Sequence, residues 1–181
     1  IVPAGTTYSW SVPAVTGGIT GGAAGSDQAT ITATLINATT FDQTATYTVT
    51  PKSGTTGSCV GNSFTVVVTV KPSPSILNIN KSVCSGELLT VAPVAGGGNI
   101  VPPGTTYSWG LPTVSGGMTG ATVESGQSSF NQTLINPTNA SHSATYTVTA
   151  SYGGCTENTF SVFVTVNPKP TAAGSVVAQS L

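Results

Sequence analysis

Charge is what this chain has least of. Its 181 residues include four lysines, no arginine, five acidic residues and one histidine, for a net charge of −1. Only 5% are charged, where an ordinary soluble domain carries about a quarter. Electrostatic capture of nucleic acid needs a clustered basic face, so nucleic acid is not an expected partner. Apolar runs are short as well. None approaches the ~20 residues of a membrane-spanning helix, so membrane insertion is not expected. The shortage of ionisable groups also removes most candidates for acid–base or nucleophilic chemistry. His142 is the single imidazole. It has no clustered partner in the sequence, and no CxxC is present, so neither a metal nor any other cofactor is expected.

What is abundant is Gly, Thr, Ser, Val and Ala. Thr and Val favour strands because a branched Cβ suits a pleated, half-buried surface. Gly and Pro supply turns. The feature that organises the chain is a repeat. IVPAGTTYSW at 1–10 returns as IVPPGTTYSW at 100–109, and residues 1–50 match residues 100–149 at 28 positions. A second block, 59–72, returns at 155–168. The offset changes by three residues between the blocks, an indel of the size a surface loop absorbs.

The second copy reads as seven short strands, at 76–80, 88–94, 105–111, 118–123, 128–135, 144–150 and 160–166, separated by Gly- and Asn-rich turns. Period-2 alternation places Ala144, Tyr146, Val148 and Ala150 on one face, and Phe160, Val162, Val164 and Val166 on another. Tyr107, Trp109 and Leu111 share a third. Thr and Ser fill most opposite positions, with Phe163 as an outward aromatic that becomes Val67 in the first copy. One apolar and one Thr-rich face per strand is the pattern of two packed sheets. The fold class expected is all-β, with tandem immunoglobulin-like β-sandwich modules like beads on a string. The expected domains are 1–72, a module lacking its first strands; 73–168, a complete module; and 169–181, a linker and the first strand of a third. Residues outside this numbering are expected to complete the first module, because half a sandwich exposes its core and unpaired edges. The Pro-bearing stretches KPSP (71–74) and NPKP (167–170) are stiff, extended linkers.

Cys59 and Cys155 occupy equivalent positions, and Cys84 is the third cysteine. A disulfide Cys84–Cys155 within the second module is expected, with Cys59 unpaired through truncation. A Cys59–Cys84 bridge and three free thiols are the alternatives. Either bridge would imply an oxidising, extracytoplasmic compartment. Trp10, Trp109, Tyr47 and Tyr146 are expected in the core, the tyrosine hydroxyls bonded to backbone. The sharper reading of the tryptophans is a sugar-stacking platform. Asn37, Asn80, Asn131 and Asn139 each open an N-x-[ST] triplet, which chance explains in a chain this rich in Asn, Ser and Thr. Catalysis is not expected: Gln43 replaces His142 in the first copy, and Glu124 becomes Gly25.

The run VCSGELLT, then VPPGTTYSW, TLINPT, ATYTVT, GGC and FSVFVTVNPKP, resembles the PKD-like, immunoglobulin-like repeat of very large cell-surface adhesins of Bacteroidota, including gliding-motility adhesins of the SprB type. The resemblance covers the whole chain. It implies a structural and adhesive stalk or filament, extracellular and associated with the outer membrane, exported by the type IX system. It implies no catalytic residues. Expected partners are neighbouring modules of the same chain, with surface polysaccharide or other adhesin or filament chains beyond them. A carbohydrate-binding accessory module of a secreted enzyme is the second reading.

Overall fold

The computed structural model describes residues 1–54 and 57–170, with backbone only at 156–158. The strand expected within 171–181 lies outside the described residues. No helix occurs among the described residues. The first copy supplies β1 (Thr7–Trp10), β2 (Ala14–Val15), β3 (Gly25–Gln28), β4 (Gln43–Lys52) and β5 (Phe64–Val70). The second supplies β6 (Ile79–Cys84), β7 (Leu88–Val91), β8 (Thr106–Trp109), β9 (Thr113–Val114), β10 (Glu124–Gln127), β11 (Phe130–Thr133), β12 (His142–Tyr152) and β13 (Cys155–Asn167).

In the first copy β4 is central. β1 and β2 pair antiparallel along one edge of it, through Trp10↔Val49 and Val15↔Ala45. β5 takes the other edge, from Gln43↔Val70 to Val49↔Phe64, and β3 closes the far side on β1. The second copy repeats this frame and adds to it. Its main sheet runs β10-β8-β12-β13-β6, with β9 also on β12. β6 lies parallel to β13, from Val162↔Ile79 to Asn167↔Cys84. A second sheet forms where β7 pairs antiparallel with β11, from Phe130↔Val91 to Thr133↔Leu88. The chain divides into two compact units. One is Ile1–Ser75 with Val94–Thr105 and Ser151–Asn158; the other is Ile76–Pro93, Thr106–Ala150 and the described residues from Thr159.

The core follows the alternation in the sequence. Ala144, Tyr146, Val148 and Ala150 are buried on one face of β12, and Phe160, Val162, Val164 and Val166 on one face of β13. Phe130 sits between Trp109 and Tyr146, with ring centroids 4.7 and 4.8 Å away. Tyr107 meets Phe160 edge to face at 6.2 Å. Such tilted and perpendicular contacts match the aromatic quadrupole.

Several local expectations change. Residues 118–123 form no strand; only Thr119 bridges, to Ile135. The pairing on β8 resumes at Glu124–Gln127, where a register shift marks a bulge and Gly126 takes φ 68°. β6 begins three residues later than the stretch proposed for it, after a buried Ile76. Leu111 and its counterpart Val12 are exposed, because β8 and β1 end at the tryptophan.

Candidate functional surface

The expected core aromatics are buried: Trp10 is 7% exposed and Trp109 4%, and Tyr47 and Tyr146 are covered. Neither indole presents a face to a sugar. The Trp10 Nε1–H donates to the Ala23 carbonyl at 2.9 Å. The tyrosine hydroxyls differ from expectation. That of Tyr146 donates to the side-chain oxygen of Gln132 at 2.9 Å, not to backbone. Gln132 is itself buried and held by Thr122, whose N–H donates to its Oε1 and whose hydroxyl accepts from its Nε2. Burial pushes the Tyr146 pKa up to about 12. In the first copy Ala33 replaces Gln132, and the Tyr47 hydroxyl has no partner among the described residues.

The expected Cys84–Cys155 disulfide does not form; Cys59, Cys84 and Cys155 are all free thiols. The topology explains why. Cys155 opens β13, and Cys84 pairs in register with Asn167, which closes it. The whole of that strand lies between them at about 3.3 Å per residue, far beyond the ~7 Å that a disulfide can bridge between Cα atoms. The Cys59–Cys84 alternative does not form either.

His142 has a packing role. Its imidazole lies against Gly116, where any Cβ would strike the ring, and its Nδ1 is 3.3 Å from the Ser115 hydroxyl. Gln43 lies on Gly17 in the same way. Both glycines have positive φ, 65° and 59°, so neither space nor backbone admits another residue. Among the described residues no group of three or more His, Cys, Asp or Glu side chains could hold a metal ion.

A cluster that sequence reasoning missed lies where each repeat hands the chain to its linker. Asn136 is buried in the TLIN loop. Its Nδ2 donates to the carbonyls of Ala140 at 2.7 Å and Val166 at 2.9 Å. Its Oδ1 accepts from the N–H and hydroxyl of Thr138 at 3.0 and 2.8 Å. Asn37 makes the same four bonds, to Phe41, Val70 and Thr39. The retained N-x-T spacing was the available signal, and it reads as a glycosylation triplet only at Asn37. With its amide buried and both donors used, that residue has no free amide to modify. Asn167 extends the fastening in the second copy. Its carbonyl accepts from the Ser85 N–H at 2.9 Å. Its side chain accepts from the Ser141 hydroxyl at 2.8 Å and donates to the Ser82 hydroxyl at 3.0 Å.

The largest difference between the copies is an open face on the first. Phe64 is 44% exposed, against 3% for its counterpart Phe160. Tyr8, Ile31, Leu35, Val66, Val68 and Val70 are only half-buried, while every counterpart in the second copy is buried. Residues 31–34 form no strand, whereas β11 forms one against β7.

Repeated antiparallel frames of this kind, one completed by a parallel strand and a second sheet, define an immunoglobulin-like β-sandwich protein. The chain belongs to the PKD-like domain family, whose model matches residues 1–74 and again residues 81–170. PKD-like domains are typically extracellular modules of the structural or adhesive kind. The comparison with curated proteins gives no match.

Proposed function

We propose that this chain is a tension-bearing segment of a long secreted cell-surface adhesin or filament, serving as stalk and surface-attachment element in the manner of gliding-motility adhesins. Its role is non-enzymatic. The observation that carries this reading is the parallel pairing of β6 with β13. Load on the polypeptide enters the second repeat at Ile79 and leaves at Asn167. The two strands lie side by side and run the same way, so opposed pulls on those ends slide one along the other. Every bond of the ladder is then loaded together, each contributing about 0.5–1.5 kcal/mol net. Asn136, Ser85, Ser141 and Ser82 hold the exit point in place. Proline linkers on either side transmit force with little slack. Thr-rich, nearly uncharged outer faces suit contact with polysaccharide or with other adhesin chains. A carbohydrate-binding accessory module would need exposed coplanar aromatics, and the burial of Trp10 and Trp109 favours the structural reading.

Single-molecule pulling tests this. The second repeat should give one discrete high-force event releasing about 30 nm of chain, at roughly 3.4 Å per residue. The first repeat, with no strand on the second edge of β5 among the described residues, should yield at distinctly lower force. Smooth extension without a discrete event would contradict the proposal.

A further inference from the structure

The KPSP segment that joins the two repeats is packed. Pro72 and Pro74 are fully buried, as is Pro102. The N–H and carbonyl of Ile100 both bond Ser75, at 2.7 and 2.9 Å. Ile1–Ser75, Val94–Thr105 and Ser151–Asn158 make up one compact unit, so the tip of the β12–β13 hairpin belongs with the first repeat.

Inside that unit, two side chains of the first repeat reach the tip. The Lys71 ammonium donates to the Gly153 carbonyl at 2.9 Å, and the Tyr152 hydroxyl donates to Asp42 Oδ1 at 3.4 Å. In a chain with only four lysines and five acidic residues, one of each stands here. The second repeat has uncharged residues at both positions, Ser141 for Asp42 and Asn167 for Lys71. There the pair closes on itself, the Ser141 hydroxyl donating to Asn167 Oδ1 at 2.8 Å. The tip is shaped for its seat. β12 ends at Tyr152 and β13 starts at Cys155, which leaves a two-residue turn, Gly153-Gly154, with φ 57° and 88°. Two positive φ values in succession are what the tightest hairpins require. The Lys71 stem lies on Gly153, where an added Cβ would stand 2.9 Å from its Cδ. The corresponding loop of the first repeat is three residues longer and carries no aromatic residue.

We propose that the hairpin tip Ser151–Cys155 is a docking element, that Asp42 and Lys71 form its receiver, and that this match selects which repeat follows which. The partner recognised is a Gly-Gly hairpin preceded by a tyrosine. Burial of the prolines supplies the stability of the joint. The exposed polar pair supplies the selection, because such contacts add little affinity but penalise a partner that leaves a charge unmatched. A repeat with Ser and Asn at the two receiver positions offers no seat of this kind.

The test uses the full chain in two altered forms. In the first, ASYGG at 150–154 is replaced by PKSGTTGS, the sequence of the first repeat at 51–58. In the second, Asp42→Asn and Lys71→Met remove the receiver charges from two exposed side chains and keep their bulk. The readout is the rate at which a proline-specific endoprotease cuts after Pro72 and Pro74, which requires the joint to open because both are buried. Each form should be cut about tenfold faster than the unmodified chain, the effect of losing one charge-assisted hydrogen bond. The two combined should be cut no faster than either alone, because they remove one shared interaction. Tyr152→Phe gives the hairpin arm a variant that leaves the turn intact. It should act in the same direction as Asp42→Asn alone and add nothing to it. Unchanged cleavage in the receiver variant overturns the proposal, and so do hairpin and receiver effects that multiply when combined. The Ile79–Asn167 pairing is intact in every variant, so failure here would leave the load-bearing reading of β6 and β13 standing.

Discussion

Phe130→Ala should be among the most damaging single substitutions in the second repeat, costing about 3–5 kcal/mol. Phe130 is fully buried between Trp109 and Tyr146, and its strand carries the β7 pairing. Removing the ring opens a cavity that the β-branched neighbours cannot fill, and it also removes two oriented aromatic contacts. For a unit of this size the melting temperature should fall by more than about 12 °C. The equivalent change in the first repeat, Ile31→Ala, removes a half-buried side chain beside an open face. It should cost no more than about 1 kcal/mol, because much of that surface is already wet. Thermal denaturation of the two variants checks both the size and the asymmetry. Equal losses would mean that the two cores are equally complete.

The second large effect should be symmetric. Asn136→Ala and Asn37→Ala each remove a side chain whose donors and acceptor are all engaged. Two carbonyls and an N–H lose their partners, at about 1–3 kcal/mol for each group left buried and unsatisfied. A loss of about 3 kcal/mol is expected in either repeat, because the same local network occurs in both. Asn136→Asp keeps the shape and the acceptor but points a carboxylate at two carbonyl oxygens, and should destabilise at least as much. Chemical denaturation with both repeats followed separately measures this. A change below about 0.5 kcal/mol would show that the fastening is ornamental.

The architecture was legible because the repeat and the alternation point the same way. Tyr146, Val148 and Val164 alternate with Thr and Ser on strands whose two faces have different surroundings, and all three are buried as read. Strand β10 was not legible. Glu124–Gln127 is exposed on both faces, so nothing in its composition distinguishes it from a loop; only its partner β8 makes it a strand. Residues 118–123 mislead in the opposite way, since a buried Met118 and a Thr-Gly-Ala-Thr run resemble a strand without pairing as one. The cysteines misled because spacing along the sequence does not tell that Cys155 opens a thirteen-residue strand while Cys84, on β6, pairs at its far end. Gln132 and Asn136 are polar letters that look like surface, and only their partners show why they are buried. The open face was foreseen in outline from the alignment of the copies. The parallel direction of β6 on β13 could not be, since pairing between the first and last strands of a repeat is a property of the assembled sheet.

Amide hydrogen exchange on the unmodified chain tests the central claim most directly. β13 is hydrogen-bonded on both edges, to β12 on one and, through residues 162–167, to β6 on the other. Those amides should all exchange only with opening of the whole repeat. β5 offers the same sequence pattern with β4 its one strand partner among the described residues, so alternate amides across residues 66–70 should exchange faster by orders of magnitude. Equal and strong protection along both strands would contradict the account.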